Sequence, residues 1–253
     1  MSEAQKSASF LFYGELNDFL SKSRRGKPVQ CLFRGRQTVK HLIESLGVPH
    51  PEVGSIEVED RTLSLDDLVE EGDWIKVYPP KLPLPLPGSL ASGAEEPIRF
   101  VLDNHLGRLA AYLRLFGFDT LYRNDIQDDE LAQIAGAEER VLLTRDHRLL
   151  MRACIHYGYW LRSKNPRQQL VEVMRRWNLA CLARPFRRCL RCNGLLHAVP
   201  KEQILSQLQP LTRLYYEDFR QCVDCGQIYW KGSHYERMQT WMSKVLQAST
   251  STP

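Results

Sequence analysis

One stretch, from Ile98 to Asp146, constrains the fold of this chain most, because a short apolar segment that ends in an acid occurs in it twice. IRFVLD ends at Asp103, and VLLTRD ends at Asp146. The residues between them show apolar side chains at helical spacing, then a short strand pattern, and then a second helical pattern. Short strands that alternate with helices predict right-handed crossovers and a parallel α/β sheet.

Acidic residues lie where the predicted strands end. The carboxyl ends of parallel strands meet at one edge of a sheet, so we expect Asp103 and Asp146 to lie on the same rim. Asp128 or Asp129, at the start of the second helix, extends the group. Carboxylates brought together repel one another unless a cation neutralises them, and Mg2+ and Mn2+ prefer oxygen ligands. The pattern predicts a catalytic Mg2+ or Mn2+ site, although each acid taken singly also fits a helix N-cap.

Two CxxC pairs predict a second metal site. Cys189 pairs with Cys192 and Cys222 pairs with Cys225, and a turn-forming Asn-Gly or Gly follows each pair. Four thiolates from two such turns give the closed tetrahedral coordination of a structural Zn2+, which leaves no position for water. An iron–sulfur cluster and a redox pair are weaker alternatives. We therefore predict that Zn2+ stabilises this module and takes no part in catalysis.

Taken together, these motifs resemble a known nuclease family. LDNHLGRLAAYLRLFGFDT, DDELAQIA and VLLTRDHRLL, followed by the CxxC pairs and YWKGSHYERM, are similar to the Mut-seven C-terminal ribonuclease domain, a branch of the PIN-like nucleases. The resemblance covers residues 97–240 approximately. It implies that Asp103, Asp128 and Asp146 are the catalytic metal ligands, with Asp129 as the neighbouring candidate.

A fourth polar or acidic ligand is common in PIN-like nucleases, and its place is open in this chain. The predicted strand GYWLRS ends at Ser163, Lys164 and Asn165, without a carboxylate. Either Ser163 or Asn165 fills the place, or the site is weaker than a full acidic quartet. Two functions follow. The first is a metal-dependent ribonuclease that hydrolyses RNA phosphodiester bonds. The alternative is an RNA- or ribosome-binding protein with weak or no catalytic activity.

The N-terminal region has the pattern of a ubiquitin-like β-grasp fold. ASFLFYGEL and VQCLFRG predict a hairpin, Thr38 and Gly47 delimit a helix, and three short strands follow. It resembles the ubiquitin-like domain that often precedes this nuclease type in bacteria. The chain has no terminal diglycine after these strands, which argues against a carrier role. A docking module for a ribosome or another protein and a protective scaffold both remain open.

Basic residues and aromatic rings suggest RNA as the partner. The net charge is +4, and the stretch from Arg175 to Arg191 has six arginines and no acid. QIYWKGSHYERM, after the second CxxC pair, combines rings with positive charge, as single-stranded RNA sites do. Packing of the ribbon is the alternative there, and we favour it for Trp230. The candidate RNA-binding residues are Arg145, Lys164, Arg187, Arg188, Lys231, His234 and Arg237.

Hydropathy and cysteine usage predict a cytoplasmic protein without a membrane partner. No apolar run approaches the length of a membrane span, and MSEAQKSASF lacks the core of a signal peptide. The single cysteines Cys31, Cys154 and Cys181 lie in apolar surroundings and are expected to be reduced and largely buried.

The predicted organisation has three folded parts. Because PPKLPLPLPGSLASGAEEP is rich in Pro, Gly, Ser and Ala, it predicts a linker that separates independent cores. HRLLMRACIHYG, after the second acid-terminated strand, predicts a further helix. The boundaries are a ubiquitin-like domain at 7–80, the linker at 81–97, a PIN-like core at 98–180, a zinc ribbon at 181–242 and a disordered tail at 243–253.

Overall fold

The computed structural model describes residues 4–59, 61–85, 98–233 and 235–250. Most of the predicted linker, His234 and the last three residues of the predicted tail therefore lie outside the described residues. Within the described ranges, no helix is both long enough and apolar enough to cross a membrane.

A five-stranded sheet and one helix form the N-terminal part of the chain. Its elements are β1 (Gln5–Phe12), β2 (Val29–Arg34), α1 (Val39–Ser45), β3 (Ser55–Val58), β4 (Arg61–Leu63) and β5 (Trp74–Tyr78). The strand order is β2-β1-β5-β3-β4. β1 and β2 form the predicted antiparallel hairpin, and β1 runs parallel to β5. The β-grasp arrangement expected from the sequence is confirmed.

Helix α1 begins where the sequence predicts. The side chain of Thr38 accepts a hydrogen bond from the backbone N–H of His41 at 3.2 Å, which makes Thr38 the N-cap. Apolar residues at helical spacing then face a core that they share with the strands. These residues are Val39, Leu42 and Ile43.

The middle of the chain forms the predicted parallel sheet. Its elements are β6 (Arg99–Leu102), α2 (Gly107–Leu115), β7 (Asp119–Leu121), α3 (Asp128–Ala137), β8 (Val141–Thr144), β9 (Gly158–Trp160) and α4 (Pro166–Arg176). The strand order is β7-β6-β8-β9. β6 pairs with β7 in parallel, and β8 pairs with β9 in parallel. All four residues of β8 are buried, as expected for a strand covered on both faces.

The helix predicted from HRLLMRACIHYG is wrong. The structure has only a 3-10 turn there, Leu149–Met151, followed by extended backbone at Arg152. A long-range contact explains the difference, because buried His50 places its Nε2 atom 2.7 Å from the carbonyl oxygen of Ile155. That carbonyl is therefore engaged with the N-terminal part of the chain, and tertiary contact overrides the local helical pattern.

The prediction for the single cysteines is correct for one of three. All are free thiols, and Cys31 is buried, whereas Cys154 and Cys181 are exposed. Cys181 lies in the 3-10 turn Leu179–Leu182, where Leu179 is the residue that faces the core. A short turn buries one face only, so an apolar sequence there does not bury every member.

The C-terminal part contains a three-stranded antiparallel sheet and three helices. Its elements are β10 (Leu196–Val199), α5 (Lys201–Ile204), α6 (Pro210–Tyr215), β11 (Phe219–Cys222), β12 (Ile228–Trp230) and α7 (Tyr235–Thr250). β11 lies between β10 and β12 and pairs antiparallel with both.

Helix α7 corrects the prediction of a disordered tail from residue 243. The helix continues to Thr250 because one face is anchored: Met242 and Val245 are buried. The ring of Trp241 also lies 4.9 Å from that of Tyr112 between centroids. The helix was missed because the segment is polar on average, and only the helical spacing of its few apolar residues indicates a helix.

Two compact units account for the described residues. The first combines residues 1–84 with 128–160, and the second combines 85–127 with 161–253. The independent folding of the ubiquitin-like domain remains a prediction. Within the first unit, the carboxylate of Glu52, which is fully buried, accepts a hydrogen bond from the backbone N–H of Trp160 at 2.7 Å.

Gly117 offers a direct test of packing in the second unit. Its φ is +91°, and a Cβ atom built there would lie 2.1 Å from the carbonyl oxygen of Arg184. We expect Gly117→Ala to lower the free energy of unfolding by about 2 to 3 kcal/mol, since it combines backbone strain with a clash. Urea denaturation measures the loss.

The matched control is Gly72→Ala, because Gly72 has a φ of +84° and nothing within 4 Å of a built Cβ. That variant is expected to lose only the conformational part, about 1 kcal/mol. Equal losses at the two positions would contradict the close approach of Arg184.

Candidate functional site

The four cysteines of the two CxxC pairs come together in the second unit. The Sγ atoms of Cys189, Cys192, Cys222 and Cys225 all lie within 4.8 Å of one another. Cys189 lies 3.6 Å from Cys225, and Cys192 lies 3.3 Å from Cys222, between sulfur atoms. Tetrahedral Zn–S bonds of about 2.3 Å place sulfurs about 3.8 Å apart. The donor set and its spacing therefore fit a zinc ion.

Two similar turns present these sulfurs. In the first cysteine turn, residues 189–194, the N–H of Cys189 donates to Gly194 O at 2.8 Å, and in the second, residues 222–227, the N–H of Cys222 donates to Gln227 O at 3.0 Å. The residue after each pair has a positive φ, +76° at Asn193 and +70° at Gly226. Asn and Gly tolerate this conformation, which explains their position after each CxxC pair.

Tyr229 supports the first cysteine turn from β12. Its hydroxyl lies 3.1 Å from Cys189 Sγ and accepts a hydrogen bond from the N–H of Leu190 at 3.1 Å. Burial and the bond to Cys189 raise the pKa of Tyr229, so the phenol keeps its proton and can donate a hydrogen bond to the sulfur. Burial raises the pKa of Cys189, but hydrogen bonds from Tyr229, Cys192 and Arg191 outweigh it and lower that pKa to about 7. The thiolate, the form that binds metal, is therefore easier to form at Cys189, whereas burial raises the pKa of Cys192.

The first cysteine turn is docked on β7. Asn193 donates from Nδ2 to Asp119 Oδ1 at 2.9 Å, and its Oδ1 accepts from the N–H of Thr120 at 2.9 Å. Buried Arg114, on α2, donates to Thr120 O at 3.0 Å and also to the carbonyl oxygens of Leu190 and Arg191. The first cysteine turn is thus packed against β7 and α2 in this unit.

Asp103 directly follows β6 and is buried, with 9% of its surface exposed. It begins a 3-10 turn, Asn104–Leu106, but its side chain makes no capping hydrogen bond. The backbone carbonyl of Asp103 accepts from the N–H of Leu106 at 3.0 Å instead. The cap interpretation of this carboxylate therefore does not apply.

Asp146 lies two residues after β8 and is exposed. Its Oδ1 accepts from the N–H of Arg148 at 2.9 Å, so this acid does cap the turn that follows. Its own N–H donates to the hydroxyl of Thr144 at 2.9 Å. The loop after β8 is held on both sides of the carboxylate, and Oδ1 is the atom that the turn uses.

Asp128 and Asp129 open helix α3, and both are exposed. Asp129 forms an ion pair with Arg152. These two acids and Asp146 belong to the first unit, whereas Asp103 belongs to the second. Their joint action as metal ligands remains a prediction.

Comparison with models of protein families identifies the family of this chain. A family model described as the Mut7-C RNAse domain matches residues 98–242, and one described as Mut7-C ubiquitin matches residues 5–84. The chain belongs to the Mut7-C RNAse domain family. No curated protein and no solved structure matches the chain.

The family match confirms the resemblance drawn from the motifs. The Mut7-C RNAse domain takes in the parallel sheet and the cysteine cluster, and the Mut7-C ubiquitin domain takes in the N-terminal sheet. All four acids and all four cysteines of the predicted sites fall inside the matched RNAse range.

A carboxylate that the sequence analysis missed lies after β9 of the Mut7-C RNAse domain. Glu172, on α4, accepts hydrogen bonds from the N–H groups of Arg162 at 3.1 Å and Ser163 at 3.0 Å. Asn165, one of the expected substitutes for a fourth acid, is instead the N-cap of α4. The Ser163 hydroxyl donates to Gln168 at 2.7 Å. The only signal in the sequence for Glu172 was its place on the helix that follows this loop.

The candidate RNA-binding residues of the Mut7-C chain differ in exposure. Arg188 is buried and lies 3.5 Å from Asp119 between charged atoms, and its contact with RNA remains a prediction. His234 lies outside the described residues. Trp230 is 42% exposed, although its ring contacts that of Phe219. The remaining candidates are exposed or half-buried: Arg145, Lys164, Arg187, Lys231 and Arg237.

Proposed function

We propose that this Mut7-C protein is a metal-dependent ribonuclease of the PIN-like type that hydrolyses RNA phosphodiester bonds. One observation carries the proposal: the RNAse family model covers residues 98–242, which contain every acid of the predicted site. The strand ends add support, because Asp103 and Asp146 follow strands of the parallel sheet.

Asp103, Asp128, Asp129 and Asp146 are the proposed catalytic carboxylates. Mg2+ or Mn2+ held there would supply activated water and neutralise charge on the phosphodiester. The chain's own contribution is placement. Thr144 and Arg148 hold the loop of Asp146, and burial at the end of β6 fixes Asp103. Glu172 fixes the loop after β9 by accepting from the N–H groups of Arg162 and Ser163.

RNA is the proposed partner of the exposed basic residues. Arg145 directly follows β8, and Lys164 lies four residues after β9. The Nζ atom of Lys231 lies 5.8 Å from the Tyr235 ring centroid. A cation beside a flat ring suits a phosphate and a stacked base. We propose the same role for Arg187 and Arg237.

Structural Zn2+ is the proposed occupant of the cysteine cluster. Four converging thiols, none of them in a disulfide, fill all the positions of a tetrahedral ion. Tyr229 and Arg114 support the turns from outside. This metal would stabilise the fold and leave the chemistry to the carboxylates.

Cleavage of single-stranded RNA by the purified chain tests the proposed activity. We expect cleavage with Mn2+ or Mg2+, none with chelator, and none by Asp146→Asn. Asparagine keeps Oδ1, the atom that accepts from Arg148, so the turn survives while the charge is lost. Activity that persists in Asp146→Asn would contradict the proposal. RNA that is bound but never cleaved would favour the alternative of an RNA- or ribosome-binding protein.

A further inference from the structure

The Mut7-C ubiquitin domain reaches β9 through buried polar groups of the first unit. The 3-10 turn His50–Glu52 supplies two of them. Glu52 accepts the backbone N–H of Trp160 at 2.7 Å, and His50 contacts Ile155 O at 2.7 Å. Glu52 is fully buried, and His50 is 8% exposed. Buried polar groups with such partners are costly to separate, so this contact is a fixed part of the unit.

Trp160 also contacts the loop that carries Asp146. Its backbone N–H is held by Glu52, and its indole Nε1–H donates to the carbonyl oxygen of Arg145 at 3.0 Å. Arg145 is the residue directly before Asp146. One residue, Trp160, thus joins the ubiquitin domain, through its backbone, to the peptide next to a proposed catalytic carboxylate, through its side chain.

Aromatic packing reinforces the same path. Phe19 of the ubiquitin domain places its ring 5.0 Å from that of Trp160 and 6.0 Å from that of His147 between centroids. The His147 ring lies 6.1 Å from the Trp160 ring. Asp146 is therefore flanked in sequence by two residues, Arg145 and His147, that both contact Trp160. Packed rings with hydrogen-bonded backbone restrict the loop to one conformation.

We propose that Glu52 and Trp160 are positioning residues for the nuclease, through which the ubiquitin domain sets the place of the Asp146 carboxylate. The proposal rests on the proposed function of Asp146. It assigns the N-terminal domain an internal task, in place of a separate docking module on a linker. Metal ligands must be held within a few tenths of an ångström, and supporting residues outside the ligand shell commonly change metal affinity by about 10- to 100-fold.

Two variants of the full chain break this path at different points. Trp160→Phe removes the indole donor to Arg145 and keeps a ring beside Phe19. Glu52→Ala removes the acceptor for the Trp160 N–H, and Glu52→Gln restores an oxygen acceptor. Glu70→Gln, an exposed acid of the same domain, is the control.

The Mn2+ concentration for half-maximal RNA cleavage and the hydrogen exchange of the Arg148 amide, measured by NMR, are the two readouts. We expect Trp160→Phe and Glu52→Ala to raise the Mn2+ midpoint roughly tenfold and to speed exchange of Arg148, whose N–H is bound to Asp146. Glu52→Gln should stay near the parent chain, and Glu70→Gln should match it. A merely structural role would lower the melting temperature without moving the Mn2+ midpoint.

Unchanged exchange and an unchanged Mn2+ midpoint in both variants would overturn the positioning role. Failure of the proposed function has a different outcome, namely a parent chain that cleaves no RNA at any Mn2+ concentration. In that case the exchange of Arg148 alone decides: faster exchange in Trp160→Phe and Glu52→Ala supports positioning of the Asp146 loop, and equal exchange refutes it.

Discussion

Replacing Cys222 by serine is expected to remove the zinc and unfold the cysteine module. Apparent zinc-binding free energies are about 10–16 kcal/mol in zinc-finger peptides, and whole domains are stable by only about 5–15 kcal/mol. Metal content should fall from close to one zinc per chain to near zero. Asn193 and Arg114 connect the first cysteine turn to β7 by hydrogen bonds, so the loss of structure should extend to β7. Hydrogen exchange at Thr120 should therefore rise as well.

Cys181→Ser is the matched control, because Cys181 is an exposed single cysteine in the same unit. It should keep both the zinc and the exchange protection of Thr120. Elemental analysis together with thermal melting makes the comparison. Iron in the parent chain, or folded Cys222→Ser protein that retains one zinc, would contradict the assignment.

Asp103→Asn is expected to lower the rate of RNA cleavage on the order of a thousandfold with little loss of stability. The carboxylate makes no capping bond to the turn that it precedes, and asparagine keeps the size of the side chain while removing its charge. Losing a metal ligand removes several kcal/mol of transition-state stabilisation, and each 1.4 kcal/mol is about tenfold in rate.

Thermal melting with and without Mn2+ separates a ligand from a structural acid at this position. Mn2+ should raise the melting temperature of the parent chain and fail to raise that of Asp103→Asn. Asp125→Asn serves as the control, since Asp125 is an exposed acid of the same unit. Cleavage by Asp103→Asn within twofold of the parent rate would remove Asp103 from the site.

Local signals in the sequence predicted much of the fold. The β1–β2 hairpin, the Thr38 cap and the turns after each CxxC pair depend on residues close together in the chain. The missed features depend on distant partners. Glu52 and Trp160 are 108 residues apart, and Ile155 is held by His50 across 105 residues. The periodicity of a sequence does not predict such contacts, because they form only when distant elements pack against each other.

The candidate site was predictable in part for the same reason. Strand-terminal acids follow from a rule on parallel sheets, which identified Asp103 and Asp146. Glu172 was missed because its carboxylate comes from a helix and reaches back to the backbone after β9. The burial of Arg188 against Asp119 was not predictable, since a basic stretch in sequence does not reveal which arginine packs inward.

The two outer strands of the middle sheet share a feature that bears on solubility. Each has a main-chain N–H covered by a side chain from an added module: Asn193 covers Thr120 of β7, and Glu52 covers Trp160 of β9. Open edge strands invite pairing with other chains. In each unit, therefore, a side chain from another part of the chain occupies a main-chain donor that an open strand would offer to a second molecule.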